Sequence, residues 1–216
     1  LDAARQSKGP VDKLKAVREV FSRGDGTANL QGQSIDLTLT SYVQAPDKGR
    51  VEITIPAFNV TIVQGVNGAK SWMESPQGSG EMPEKMRDVT RKGLINSWFV
   101  DFLMPLNGSE IEAVALDDAG ALPVVGGAQL NGKAADVVAV TIGDAKFTVY
   151  FDKQTHLALK TAYQSISQQT MEDIDAESLF DDYKDVDGIK LSHHVTVFNA
   201  GEKTLEGKRT QIKLHP

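Results

Sequence analysis

Along much of this chain, apolar and polar residues alternate one for one. In 189–198, Ile189, Leu191, His193, Val195 and Val197 fall on one face. Lys190, Ser192, His194 and Thr196 fall on the other, and only Phe198 breaks the polar side. Period two is the signature of a half-buried strand. The preceding 181–186 reads as its partner strand. Asp187-Gly188 is the turn between them, because Gly accepts the positive φ of a two-residue hairpin turn. The same grammar predicts strands over 19–30, 34–43, 50–55, 59–66 and 70–74. In 34–43, Ile35, Leu37, Leu39 and Val43 point inward while Thr38, Thr40 and Tyr42 point outward. In 50–55, Val51, Ile53 and Ile55 alternate with Arg50, Glu52 and Thr54. Gln31-Gly32-Gln33, the Ala45-Pro46-Asp47-Lys48-Gly49 turn, Pro56-Ala57 and Asn67-Gly68 punctuate these strands. Strands resume over 110–116, 134–142, 146–151 and 157–165, and the last is 203–214. Between the first two, a looser stretch with Gly126-Gly127 leads to Gln129-Leu130 and an Asn131-Gly132 turn. Short strands joined by turn signals make an antiparallel meander.

Two stretches break the alternation. In 1–17, Val11, Leu14 and Val17 follow a helical spacing, and Gly9-Pro10 divides the segment into two short helices or one kinked helix. It reads as a plug inside a curved sheet or, more simply, as an end helix packed on the core. After a loop over 75–80, residues 81–104 turn helical: Met86, Val89, Leu94, Trp98 and Phe102 share a face, and Lys85, Arg87, Arg91 and Lys92 make the opposite one basic. Gly93 costs about 1 kcal/mol relative to Ala in a helix interior. Two helices, 83–92 and 94–103, are therefore expected, with Pro105 ending the second. The fold class is mainly β (α+β): a strongly curved, half-open antiparallel β-sheet, an unclosed barrel, with an N-terminal helix and a helical insertion over its concave face.

No internal repeat or shift of composition divides the 216 residues, so 1–216 reads as a single domain with the insertion at about 81–104. The net charge of -6 argues against a nucleic-acid partner. No apolar run approaches the ~20 residues of a membrane span. The absence of cysteine removes thiol and disulfide chemistry and Cys-zinc sites. The chain opens on Leu1, which suggests that an upstream segment was removed, either a signal peptide or part of a larger exported polypeptide.

Catalytic and metal signatures fail one by one. His193 and His194 are neighbours on a strand and point to opposite faces, so they cannot chelate one ion. His193 reads as a satisfied core histidine and His194 as an exposed one. Gly78-Ser79-Gly80 lacks the preceding strand of a nucleophile elbow. A calcium loop registered on Asp185-Val186-Asp187-Gly188 would begin at Tyr183 and end at His194, neither an acidic oxygen donor. The acidic run over 172–187 reads as a solvated face. Asn59-Val60-Thr61 and Asn107-Gly108-Ser109 are formal glycosylation sequons. No enzyme, metal or cofactor is called.

What remains is apolar surface. If the sheet curls and the helical insertion lies across its mouth, a hydrophobic cavity follows. Its candidate lining is Ile53, Ile55, Phe58, Val60, Ile62, Trp72, Met82, Met86, Trp98 and Phe102. The alternative is that these side chains simply fill the core between sheet and helix.

Four stretches carry a family resemblance. Ala45-Pro46-Asp47-Lys48-Gly49-Arg50-Val51-Glu52 is similar to a Pro-containing turn before a strand, and Val66-Asn67-Gly68-Ala69-Lys70-Ser71-Trp72 to a "DGKxxW" hairpin. Asp152-Lys153-Gln154-Thr155-His156-Leu157 is similar to a "D-x-x-T-G-L" turn with His156 in place of Gly. The stretch from Asp182 to His193 is similar to a "DYRxVDGVKLPH" hairpin with Ser192 in place of Pro. Together they resemble the LolA/LolB-type lipoprotein carriers and the broader outer-membrane lipoprotein-sorting superfamily. The resemblance implies a non-enzymatic carrier, periplasmic or extracellular in a bacterial envelope. Its partner would be a lipid, a lipoprotein acyl chain or another hydrophobic small molecule, admitted as the helices move. In the periplasmic carriers an Arg before the turn proline holds the lid shut; here that position is Ala45. Two other readings stay open. One is a ligand-free interaction domain of a larger exported protein such as an insulinase-type metallopeptidase. The other is a hydrolase using carboxylates near Asp181.

Overall fold

The structure, a computed structural model, describes residues 1–30, 32–106, 109–116, 130, 132–167 and 170–216. Two short helices open it, α1 (Asp2–Lys8) and α2 (Val11–Ala16), separated at Gly9-Pro10. Then come β1 (Glu19–Leu30), β2 (Gln33–Gln44), β3 (Lys48–Ile55), a 3₁₀ turn (Pro56–Phe58), β4 (Val60–Asn67), β5 (Lys70–Ser75) and β6 (Gly78–Gly80). Helix α3 (Glu84–Phe102) follows. The second run is β7 (Ile111–Leu116), β8 (Ala135–Ile142), β9 (Ala145–Asp152), β10 (Ala158–Ile166), β11 (Asp173–Val186), β12 (Ile189–Asn199) and β13 (Glu202–His215). Among the described residues these form one 13-stranded antiparallel sheet in the order β6-β5-β4-β3-β2-β1-β13-β12-β11-β10-β9-β8-β7. Its edges β6 and β7 are not paired with each other, so the sheet is open.

The topology is two meanders, β1–β6 and β7–β13, joined along one seam between β1 and β13. Glycines occupy that seam. A Cβ on Gly24 would stand 2.3 Å from the carbonyl oxygen of Lys208, and one on Gly26 2.3 Å from that of Glu206. The register also slips between Arg23 and Gly24, a bulge of the kind that increases local twist. Glycine and a bulge at one place let a long sheet bend sharply.

The core fills one half of the concave side. Phe99, Phe102 and Leu103 from the end of α3 are buried against Ile142, Val149, Ala158 and Leu191 of the second meander. The rings of Phe99 and Phe147 meet edge-on at 5.4 Å. Helix α1 wedges between the end of α3 and the β11–β12 hairpin. Arg5 Nε donates to the Leu103 carbonyl at 3.1 Å. Gly9 lies so close to Gly188 that a Cβ there would meet the Gly188 oxygen at 2.4 Å. From α2, Lys13 Nζ donates to the Asp187 carbonyl at 2.9 Å.

Several expectations change. One helix spans 84–102 where two were expected: Gly93 faces open space, and burial of Ile95, Trp98, Phe99 and Phe102 after it outweighs its propensity cost. The 75–80 loop contains the short edge strand β6, held by its pairing to β5. The Asn67-Gly68 turn is centred one residue later, since Asn67 pairs with Lys70. Asp187-Gly188 is a two-residue turn with both φ positive, 54° and 86°. His156 adopts φ 56°, the left-handed conformation that suits Gly at this point of the motif. In the acidic run Glu177 is buried, accepting from Lys160 Nζ at 3.0 Å; the rest of that run is largely exposed. His194 is half-buried beside Glu206 rather than exposed, 3.0 Å away. His193 is satisfied by the Leu191 carbonyl at 3.0 Å. The stretch 117–129, Asn131 and the Asn107-Gly108 part of the second sequon lie outside the described residues.

The seam makes a sharp prediction. Gly24→Ala drives a methyl into backbone and is expected to cost about 2 kcal/mol or more in urea unfolding. Gly207→Ala, whose Cβ would find its nearest atoms at 3.8 Å, is expected to change stability by less than about 1 kcal/mol.

Candidate functional site

The other half of the concave side is hollow. Val20 (β1), Leu39 and Val43 (β2), Val51 (β3), Val195 and Val197 (β12) and Leu205 (β13) face α3 across a cavity of about 400 Å³. Helix α3 supplies the roof with Leu94, Trp98 and Phe102. Alternation explains the wall: on each strand every second residue faces inward, and here those residues include the Val and Leu named above together with Ser22, Ser41, Ser178 and Phe180. Glycine explains the space. Gly24 and Gly207 form part of the floor: a side chain at Gly207 would enter the void beside Leu39 and Leu205, and Gly24 lets β1 lie against the backbone of Lys208. The rings of Trp98 and Phe102 pack with centroids 4.7 Å apart and planes tilted by 54°, and both belong to the filled core as well as to the rim of this void.

The roof is fastened differently at its two ends. Its first half carries the basic face, and its ion pairs are solvent-accessible: Lys85 to Asp173 at 2.8 Å, Lys92 to Asp144 at 3.7 Å, and Arg91 to Asp144. The Arg91 hydrogen bond is the main reason the Asp144 carboxyl is held below its ordinary range. Such exposed pairs are worth little each and are screened by salt. Leu94 closes against β3 at Gly49, where a Cβ would overlap its methyl groups. The second half of α3 is buried and anchored from beneath. Arg209, on β13 beside the seam, donates from Nη1 to Asp101 Oδ2 at 2.8 Å and from Nη2 to Oδ1 at 3.1 Å. Both residues line the cavity.

Lys8, the last residue of α1, stands behind this pair. It is 1% exposed, its Nζ has no hydrogen-bond partner among the described residues, and it lies 4.7 Å from the centre of the Tyr183 ring. Burial drives its pKa down to about 7, opposed by Asp101 and assisted by Arg209. Burial raises the Tyr183 phenol, helped by Asp101. Burial also disfavours the Arg209 charge, and Asp101 more than restores it, so this guanidinium stays ionised. Alternation and spacing gave no hint of this cluster, since its members come from α1, α3, β11 and β13. The only signal available was a lone Lys on the buried side of a short helix.

The ten expected lining residues are scattered. Trp98 and Phe102 line the cavity. Ile53 and Ile55 share a strand face with the lining residue Val51, and pair with Ile62 and Val60 across β4. All four are half-buried and lie farther along the sheet. Phe58 is 63% exposed on the 3₁₀ turn. Met82 is buried near Thr90, and Met86 is half-buried early in α3. Trp72 is on the opposite face of the sheet. Its ring covers Gly65 and lines an outer groove in a cross-strand row with Arg50, Tyr42 and Phe21. No group of three or more potential metal-binding side chains occurs among the described residues.

No protein-family model and no curated protein matches this sequence. Solved structures match throughout. A LolA superfamily protein from Nitrosomonas europaea aligns over 100% of this chain and 92% of its own, with a TM-score of 0.61 at 13% identity. A DUF1329 family protein from Desulfovibrio piger aligns over 99% and 90%, with a TM-score of 0.58 at 12% identity. A domain from Vibrio parahaemolyticus named as an outer membrane lipoprotein-sorting protein aligns over 94% and 90%, with a TM-score of 0.52 at 14% identity. At these identities the likeness is one of fold, and the fold is the LolA-like one that the turn motifs resemble.

The Lys8 environment sets a pH dependence. Its folded pKa of about 7 lies below the ordinary 10.5. Between those values the unfolded chain binds the extra proton, so stability from this group rises with pH above about 7 and is at its minimum below. Lys8→Met removes the buried amine. The variant is expected to be about 1–4 kcal/mol more stable near neutrality and to lose the gain the parent shows between about pH 7 and pH 9. Urea titrations at both pH values check it; an unchanged slope would contradict the assignment.

Proposed function

We propose that this chain is a non-enzymatic binding or carrier domain for a lipid, acyl chain or similar apolar ligand, acting in a bacterial cell envelope. The observation that carries this reading is the hollow between α3 and the seam strands. Its volume of about 400 Å³ lies within the roughly 300–1,000 Å³ of small-molecule sites. Its wall combines aliphatic side chains with Trp98, Phe102, Tyr163 and Phe180, interrupted by Ser22, Ser41 and Ser178, and so offers an alkyl chain a mainly apolar surface. Each buried CH₂ contributes about 0.8 kcal/mol. The fold supports the same reading, because one similar domain is named for lipoprotein sorting. Export to the periplasm or beyond fits a chain in which no described helix is long and apolar enough to cross a membrane.

Entry follows from the unequal fastening of the roof. The first half of α3 rests on exposed ion pairs and on Leu94, whereas the second half is buried. The helix therefore opens from its N-terminal end, with residues beyond Ile95 staying in place as the hinge side.

Uptake of the neutral fluorescent probe N-phenyl-naphthylamine tests the reading. The delipidated protein is expected to bind it with a blue-shifted, enhanced emission. Gly207→Phe, which points a ring into the void past Leu39 and Leu205, is expected to weaken binding about tenfold or more. Asp144→Asn, which releases Arg91 and Lys92, is expected to speed uptake while changing stability by less than about 1 kcal/mol. A parent protein that leaves the probe dark, or a Gly207→Phe variant that binds it unchanged, would sink the proposal.

A further inference from the structure

We propose that the end of the cavity at Arg209 is a carboxylate-binding site, so that the ligand is a single-chain amphiphile with an anionic head, a free fatty acid rather than its neutral ester. This deepens the carrier reading and rests on it.

Three observations converge. First, Arg209 and Asp101 form a partly buried charged patch in a mainly apolar lining, whose other charged members, Asp25 and Lys208, are exposed to solvent. Second, the guanidinium has hydrogen-bonding capacity left. It carries five N–H groups and gives two directional bonds to Asp101, its Nε has no partner, and 19% of its side chain remains accessible. Third, the buried charges do not balance. Asp101 is one carboxylate; Arg209 is one cation, and Lys8 is a second below about pH 7. Tyr183, the remaining titratable group packed against Lys8, is held neutral. Asp181, on the same strand as Tyr183, is exposed. The Lys8 amine does not itself line the cavity, but its field is felt at Asp101.

Below about pH 7 the surplus of one positive charge is the complement of one carboxylate. The planar guanidinium fork is suited to bind it, and such charge-assisted hydrogen bonds are roughly twice as strong as neutral ones. The alkyl chain then runs from Arg209 along Val195 and Val197 under Trp98. A neutral ester fills the same space without compensating the charge.

Displacement of bound N-phenyl-naphthylamine by dodecanoic acid and by methyl dodecanoate, at about pH 6 and about pH 8, tests this. At the lower pH the acid is expected to bind about tenfold more tightly than the ester. The gap is expected to narrow at the higher pH, as Lys8 loses its proton, and to be small at both in Lys8→Met. Asp101→Asn frees the guanidinium and is expected to widen the gap; a purely structural pair would instead weaken both ligands together. The parent comparison stands even where Asp101→Asn fails to fold. Acid and ester displacing the probe equally at the lower pH would overturn the carboxylate site and leave lipid binding intact. A protein that binds neither, nor the probe, overturns both.

Discussion

The pairing of the first strand with the last is the constraint on which the rest depends. β1 to β6 and β7 to β13 are each built from neighbouring hairpins, which need only local turns. Neither meander has a reason to curl around the other until residues 19–28 pair with residues 205–215. That pairing brings the ends of the chain together and places α3, the connection between the two halves, across the resulting trough. The same seam carries the bulge at Gly24, the glycine floor of the cavity, and Arg209, which reaches up to α3. Curvature, cavity and anchor are thus consequences of one strand pair.

Much of this fold is legible in the sequence because a half-buried sheet writes its faces into alternate positions. The inward set Leu39, Val43 and Val51 can be read from periodicity alone, and each lines the cavity. What periodicity does not encode is distance along the strand. Ile53 and Ile55 obey the same alternation as Val51, yet they do not line the cavity. Trp72 misleads for a different reason. A large aromatic suggests a core, yet its ring lies on the outer face, over the bare backbone of Gly65. Gly93 misleads because propensity is local, whereas the burial of Trp98 and Phe102 that keeps α3 continuous is tertiary.

Charge is even less legible than shape. Lys8, Asp101, Tyr183 and Arg209 are far apart in sequence, and of them Tyr183 alone stands in a motif, one that marks a hairpin and not a charge cluster. Their meeting depends on α1 docking against the Asp187-Gly188 hairpin and on the register that sets Arg209 opposite Gly24. Glu177 makes the same point on the other face of the sheet: it stands in a run that reads as solvated, yet it is buried against Lys160 of β10.

The cluster also bears on the lid. The resemblance in sequence implies an arginine before the turn proline that would hold a lid, and Ala45 stands at that position here. Ala45 borders an open groove shared with Trp98 and Leu106, and an alanine side chain can offer the helix no hydrogen bond from that side. The bond comes instead from across the trough, from Arg209 to the last turn of α3. The change of donor changes what can be released. An arginine at the rim can let go into water, but Arg209 is buried, and separating it from Asp101 would leave two uncompensated charges inside the protein, at a cost of about 3–5 kcal/mol. In the proposed entry route the bonded end of α3 is therefore the fixed end, and opening is assigned to the end held by Lys85, Arg91 and Lys92, where water replaces each broken ion pair at little cost.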